Sequence, residues 1–144
     1  MNNFELDARL ARDCLVLGNL NISLLLLMNN KLVPWFILVP QTSEIEITDL
    51  SQSDQADLLE EIDLLAGFIK ENFSVSKLNI AAIGNIVSQL HVHIVGRDPA
   101  DYCWPDVVWG TSERKPYTAE RVNEITATLS EQLGDKFICS PGFE

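Results

Sequence analysis

The two histidines of this chain, His91 and His93, stand one residue apart within Gly84-Asn85-Ile86-Val87-Ser88-Gln89-Leu90-His91-Val92-His93-Ile94-Val95-Gly96-Arg97. Imidazole is the side chain that serves as base, nucleophile or metal ligand near neutral pH. The stretch reads as a β-strand from about Ser88 to Arg97. Side chains alternate along a strand, so Gln89, His91 and His93 share one face while Leu90, Val92 and Ile94 point into a core. The plain alternative is a half-exposed strand with its polar residues on the wet side.

Three chemistries compete for this row. A metal site could use two imidazoles, but a third and a fourth ligand are not evident in the sequence. General base catalysis needs one histidine whose tautomer is fixed by a second group. Nucleophilic catalysis needs the same, plus donors for a developing anion. Gly84-Asn85 offers backbone amides and a carboxamide just before the strand, where a phosphate oxygen could sit, and glycine lets backbone approach a ligand closely.

These residues need a scaffold, and 144 residues suffice for one domain, 1–144, with a core of its own. The net charge of −11 argues against long nucleic acid, whose binding neutralises many phosphates with Lys and Arg, but leaves room for a small nucleotide. Leu24 to Met28 is intensely apolar but too short to span a bilayer. The chain starts acidic, without a signal-peptide pattern, so the expectation is a cytoplasmic protein with no membrane partner. Cys14, Cys103 and Cys139 are widely spaced and form no C-x-x-C pair, which suggests reduced, structural thiols.

Residues 4–13 carry a short helical period, and Cys14 to Leu17 a small strand broken by Gly18-Asn19. Ile22 to Met28 and Trp35 to Val39 read as an antiparallel hairpin joined by Asn29-Asn30-Lys31, with a strand remnant at Ile45 to Ile47 beyond it. Leu59, Ile62, Leu65 or Ala66, Ile69 and Phe73 then recur at helical spacing, behind Ser51 or Ser53 as cap. Lys77 to Ile83 is the next strand, and Asp98 to Lys115 an ordered loop rich in Trp and Pro. Val122, Ile125, Leu129 and Leu133 make a last helix, capped by Thr118 and stopped at Gly134. This order predicts an α+β fold: an antiparallel sheet of about five strands, one long helix packed on it and a C-terminal helix.

With these residues placed, Gln89-Leu90-His91-Val92-His93-Ile94-Val95-Gly96 resembles the signature strand of the histidine triad superfamily of nucleotide hydrolases and transferases. Val33-Pro34-Trp35-Phe36-Ile37-Leu38-Val39-Pro40 resembles the family's apolar strand ending in Val-Ile-Pro, and Trp104-Pro105 with Val108-Trp109-Gly110 is similar to a bacterial branch. The resemblance covers roughly Leu15 to Arg97. In its register the last histidine is His93, the central nucleophile is His91, and the first histidine is replaced by Gln89.

The resemblance implies in-line attack by His91 on the α-phosphate of a nucleotide derivative, a phosphoramidate or a dinucleoside polyphosphate, through a nucleotidyl-histidine intermediate. It places His93 and Gln89 on phosphate oxygens, Gly84 and Asn85 in the phosphate-contacting turn, and Asn29 or Asn30 near ribose hydroxyls beside Met28. Arg97 reads either as a phosphate contact or as a surface cation. The Trp104 to Gly110 loop either covers the site or packs at a dimer surface. Trp35 reads as core or edge packing. The family implies a homodimer and requires no cofactor, although some members use a divalent metal. Two alternatives stay open: a nucleotide-binding module with little or no catalysis, prompted by Gln89, and an interaction protein whose histidines lie on an incidental polar face.

Overall fold

In the computed structural model, which describes residues 3–140, the apolar runs pair into one antiparallel sheet. Its strands are β1 (Cys14–Asn19), β2 (Ser23–Met28), β3 (Trp35–Pro40), β4 (Lys77–Ala81), β5 (Val92–Arg97) and β6 (Ile138–Cys139). They lie in the spatial order β4-β5-β3-β2-β1-β6, six strands among the described residues where the sequence suggested about five. The additional strand comes from the C-terminal region, where two residues carry no periodicity to read. The tail beyond Ser140 lies outside the described residues.

Three helices join the sheet: α1 (Ala8–Asp13), α2 (Gln52–Asn72) and α3 (Ala119–Leu133). Asp7 caps α1, Ser51 Oγ accepts from Asp54 N at the start of α2, and Thr118 Oγ1 accepts from Arg121 N at the start of α3. The α+β class expected from the element order is the one found. No helix among the described residues is long and apolar enough to cross a membrane.

Several boundaries differ from expectation. Strand β1 runs on through Gly18-Asn19 and absorbs the irregularity as a register shift between Val16 and Gly18. Ile45 to Ile47 forms no strand; a turn of 3₁₀ helix spans Ile47–Asp49 instead. Strand β4 stops at Ala81, and β5 begins only at Val92, so Ser88 to His91 belong to the preceding loop.

The buried stripe of α2 consists of Leu58, Glu61, Leu65, Phe68 and Ile69, while Leu59 is 66% exposed. Of the stripe that the sequence pattern predicts, Leu65 and Ile69 are buried and Ile62 and Phe73 pack against the core, while Leu59 is replaced on that face by its neighbour Leu58. Glu61 shares the buried face. Its carboxylate reaches across to the β1–β2 turn, where Oε2 accepts from Ile22 N at 2.8 Å.

The sheet has two different faces. On one, Leu25, Leu27, Phe36, Leu38, Val92 and Ile94 pack with Leu65, Phe68 and Ile69 of α2 and Val122, Ile125 and Leu129 of α3. On the other, Leu26, Met28, Trp35, Ile37 and Val95 meet Leu10 and Val108, with Phe4, Leu6, Tyr102 and Trp109 packed against them. The second face therefore carries its cover on connecting segments, and alternation along β5 puts His93 beneath it, with His91 against it at the end of the preceding loop.

Gly18 is where β6 crosses β1. A Cβ built there would collide with the Ile138 carbonyl and come within 2.7 Å of the Phe137 ring. Gly18→Ala is therefore expected to cost roughly 1–3 kcal/mol by overpacking, seen as a lower denaturation midpoint at unchanged slope. An unchanged midpoint would show that β6 does not depend on this close approach.

Candidate active site

Strand β5 pairs with β3 so that Ile37 lies opposite His93 and Trp35 opposite Val95. In this register Trp35 and His93 share the second face, and Trp35 Nε1 donates to His93 Nδ1 at 3.0 Å. An indole N–H can only donate, so His93 Nδ1 must be the acceptor and the ring proton sits on Nε2. The neighbouring ring has the opposite constraint. His91 Nδ1 lies 2.7 Å from the backbone carbonyl of Gln89, which can only accept, so Nδ1 carries a proton and, in the neutral ring, Nε2 holds the lone pair.

The two imidazoles meet edge-on, with centroids 4.9 Å apart. Both residues are buried, at 7% and 6% exposure. Burial, with the charge of His91 acting in the same direction, pushes the His93 pKa down to about 4. The Trp35 hydrogen bond favours the neutral ring as well, because a protonated Nδ1 could not accept it.

The walls come from the 98–111 loop. Trp109 stands edge-on to His93 at 5.3 Å and to Trp35 at 6.0 Å. Arg97 holds this loop in place and is 1% exposed, neither a surface cation nor a free phosphate ligand. Its Nε and Nη2 donate to the two oxygens of Asp101 at 2.7 and 3.2 Å, Nη1 donates to Asn79 Oδ1, and Nη2 also donates to the Asp106 carbonyl. Burial alone would raise the Asp101 pKa, but the guanidinium and backbone donors outweigh it and hold the carboxyl below its usual value. Trp104 instead lies over the Arg97 guanidinium at 5.7 Å, so only one of the loop's two tryptophans reaches the histidines.

The remaining sequence candidates separate into two groups. Gly84, with φ of +67°, lines a shallow cleft with Ser88, Gln89, Leu90 and His91, closed on its far side by Ile45, Glu46, Ala82 and Ile83. Asn85 follows Gly84 and is exposed. Asn29 and Asn30 do not line this cleft. Asn30 is 4% exposed, and its carboxamide accepts from Lys115 N and donates to the Glu113 carbonyl. Asn29 Oδ1 accepts from Tyr117 N. These bonds fasten the 113–117 backbone to the β2–β3 turn and occupy both carboxamides, the pair from which the sequence suggested a ribose contact. Met28 beside them is buried, with its sulfur 3.3 Å from Arg114 Nη2.

Gln89 does not turn toward the histidines either. Its Oε1 accepts from Asp7 N at 2.8 Å and its Nε2 donates to the Glu5 carbonyl at 2.9 Å. Sequence reasoning missed Trp35 as a site residue, while Trp109 belongs to the loop that it read as either covering the site or packing at a dimer surface. Strand alternation places Trp35 two positions from Ile37, but only the β3–β5 register shows that His93 is its neighbour. Among the described residues no three His, Cys, Asp or Glu side chains converge as a metal site would need. The cysteines are free; burial pushes the Cys14 thiol up to about 12, which keeps it protonated and unreactive at neutral pH.

Comparison with known proteins agrees with this geometry. The sequence model described as HIT domain matches residues 9–100. A histidine triad protein from Sinorhizobium meliloti is 42% identical and superposes with a TM-score of 0.86, covering 91% of this chain and 98% of that one. A histidine triad protein from Marinobacter aquaeolei is 41% identical, with a TM-score of 0.86 and coverage of 92% and 98%. A bis(5'-nucleosyl)-tetraphosphatase (asymmetrical) from Schizosaccharomyces pombe is 32% identical over 83 residues, 54% of this chain and 46% of that protein. The chain thus matches about half the length of that curated relative.

The depressed His93 pKa has a consequence for stability. Between about 4 and the ordinary value of 6.5 the unfolded chain binds a proton that folded His93 refuses, so the folded state loses stability as the pH falls through that window. Above the window the contribution is full, on the order of 3 kcal/mol. Histidine NMR should show His93 neutral down to about pH 4, and Trp35→Phe should raise its midpoint. A His93 that titrates near 6.5 in the native protein would contradict both the burial and the Trp35 bond.

Proposed function

The chain belongs to the histidine triad (HIT) family, and on that premise we propose that it is a nucleotide hydrolase or transferase that attacks the α-phosphate of a nucleotide derivative with His91. The observation that carries this reading is the hydrogen bond from His91 Nδ1 to the Gln89 carbonyl. In the neutral ring it leaves on Nε2 the lone pair that a nucleophile requires. Phosphoramidates and dinucleoside polyphosphates are the substrate class we propose, the second supported by the similarity to a bis(5'-nucleosyl)-tetraphosphatase from Schizosaccharomyces pombe.

The reaction proceeds in two displacements. His91 Nε2 forms a bond to the α-phosphorus as the bond to the leaving amine or phosphate breaks, and the leaving group takes up a proton. The resulting nucleotidyl-imidazolium carries positive charge, which the Gln89 carbonyl dipole at Nδ1 stabilises. Water then forms a bond to the same phosphorus, the P–N bond breaks, and the nucleoside monophosphate leaves with His91 restored; a transferase would use an acceptor hydroxyl or phosphate in place of water. His93 Nε2–H is the donor available for a non-bridging oxygen, and its low pKa keeps that ring neutral while it donates. Gly84 and Asn85 would supply backbone donors at the rim. The residues need no metal for this chemistry, and a divalent ion bound to the substrate's phosphates is compatible with it.

Incubation with an adenosine phosphoramidate or a diadenosine polyphosphate should give turnover in the native protein. Quenched early, the reaction should show an adenylate adduct on the peptide bearing His91. In His91→Ala both signals should drop by at least about a thousandfold, the scale of losing a covalent nucleophile. Equal turnover in that variant rules the mechanism out. Nucleotide binding without any adduct would favour a binding module instead.

We further propose a homodimer through the β4 edge and α2. Strand β4 ends the sheet beside β5, Ile80 on it is 47% exposed, and Leu59 on α2 is 66% exposed. An apolar sheet edge left open is an association surface. Sedimentation velocity should give a dimer for the native chain and a monomer for Ile80→Lys. A monomeric native protein would remove the proposal.

A further inference from the structure

We propose that Gln89 is a positioning residue: its carboxamide clamps the N-terminal segment to the loop that carries His91, and so holds its own backbone carbonyl on His91 Nδ1. The kinetic part of this inference rests on His91 being the nucleophile; the structural part does not.

The loop between Ala81 and Val92 has no partner strand, because β4 ends at the first and β5 begins at the second. No ladder therefore fixes the Gln89 carbonyl, although it must stay 2.7 Å from an imidazole nitrogen to set the tautomer. Leu90 and Val87 anchor the loop on either side by packing, and the polar grip on residue 89 itself comes from its own side chain. Oε1 accepts from Asp7 N at 2.8 Å and Nε2 donates to Glu5 O at 2.9 Å, across more than eighty residues of sequence. These are the two bonds that a neighbouring strand would make to residues 5 and 7, supplied here by a side chain.

A second tie reinforces the first. Arg9 Nη1 donates to the Ile86 carbonyl at 2.9 Å, and Arg9 N donates to Asp7 Oδ1, the cap of α1. The segment itself is anchored independently, since Phe4 and Leu6 pack against the second core cluster together with Val87. The clamp therefore joins the loop to something fixed.

The residue type suits the task. A carboxamide presents an acceptor and a donor side by side, matched to the N–H of one residue and the C=O of another two positions away. The two nitrogens of an imidazole diverge and could not make both bonds. Glutamine at this position thus acts on the protein backbone, not on the substrate phosphate. Putting histidine there removes the clamp and slows the enzyme.

The chain and its variants can be examined by three readouts: the His91 tautomer from ¹⁵N-histidine NMR, hydrogen exchange at the Asp7 amide, and the rate of adduct formation with an adenosine phosphoramidate. In Gln89→Ala the Asp7 amide should exchange about tenfold faster, the scale of one lost hydrogen bond. The Nδ1–H population of His91 should fall. Adduct formation should slow about ten- to hundredfold, as for other residues that orient a reacting group, with substrate affinity little changed.

Gln89→His should behave like Gln89→Ala. Arg9→Ala, a change at an exposed side chain, should move exchange and tautomer the same way to a smaller extent, and answers the question should the Gln89 variants fold poorly. An unchanged His91 tautomer in Gln89→Ala, or faster chemistry in Gln89→His, overturns the inference. If the native protein forms no adduct yet the tautomer responds, the clamp stands and the proposed reaction fails. If adduct forms normally and the tautomer does not respond, the reverse holds.

Discussion

Two hydrogen bonds, one that can only donate and one that can only accept, decide the chemistry of this site. Trp35 Nε1 gives its proton to His93 Nδ1, and the Gln89 carbonyl takes one from His91 Nδ1. Two identical side chains two residues apart are thereby assigned opposite tautomers. One presents a lone pair at Nε2 and the other a proton. Reversing either assignment would give two donors or two lone pairs, and neither combination suits the proposed division of labour between a nucleophile and a phosphate-oxygen donor.

The surrounding structure serves to keep these partners in register. The β3–β5 pairing puts Trp35 beside His93. The 98–111 loop closes over them with Trp109, and that loop is ordered around a charge taken out of water. Arg97 is almost wholly buried, a position that is costly unless its donors are satisfied, and here Asp101, Asn79 and the Asp106 carbonyl satisfy them. Replacing one member alone would leave its partner charged and buried. The ion pair is best understood as specifying one conformation of the loop, since the desolvation of both groups offsets much of their attraction.

Much of the scaffold was legible in the residues because it follows from local patterning. The strands around Leu25, Ile37 and Ile94, the α3 stripe at Val122, Ile125 and Leu129, and the shared face of His91 and His93 all come from periodicity. What was not legible depends on contacts between distant segments. Trp35 looked like packing because its partner lies across a strand pair. Arg97 looked exposed because a lone arginine at a strand end usually is, and Asp101 is recognisable as its partner only once the loop has turned back. Asn29 and Asn30 carry a turn composition that suits a ligand or a backbone equally well. On α2 only the choice between the adjacent Leu58 and Leu59 was not legible, and Glu61 reads as a surface acid until the β1–β2 turn is beside it.

Gln89 was expected to be the weak point of the site, as the member of the row that departs from histidine. The geometry changes what that departure means. Position 89 contributes to His91 through its main-chain carbonyl, and every residue type has one. The side chain is then released from any requirement to be an imidazole and can take on work elsewhere. In this chain it is tied to residues 5 and 7, and it belongs to the same residue whose carbonyl accepts from Nδ1 of His91, the proposed nucleophile. A first position that acts through its backbone can change its side chain without loss of the reaction, provided that the new side chain still holds the backbone where His91 needs it.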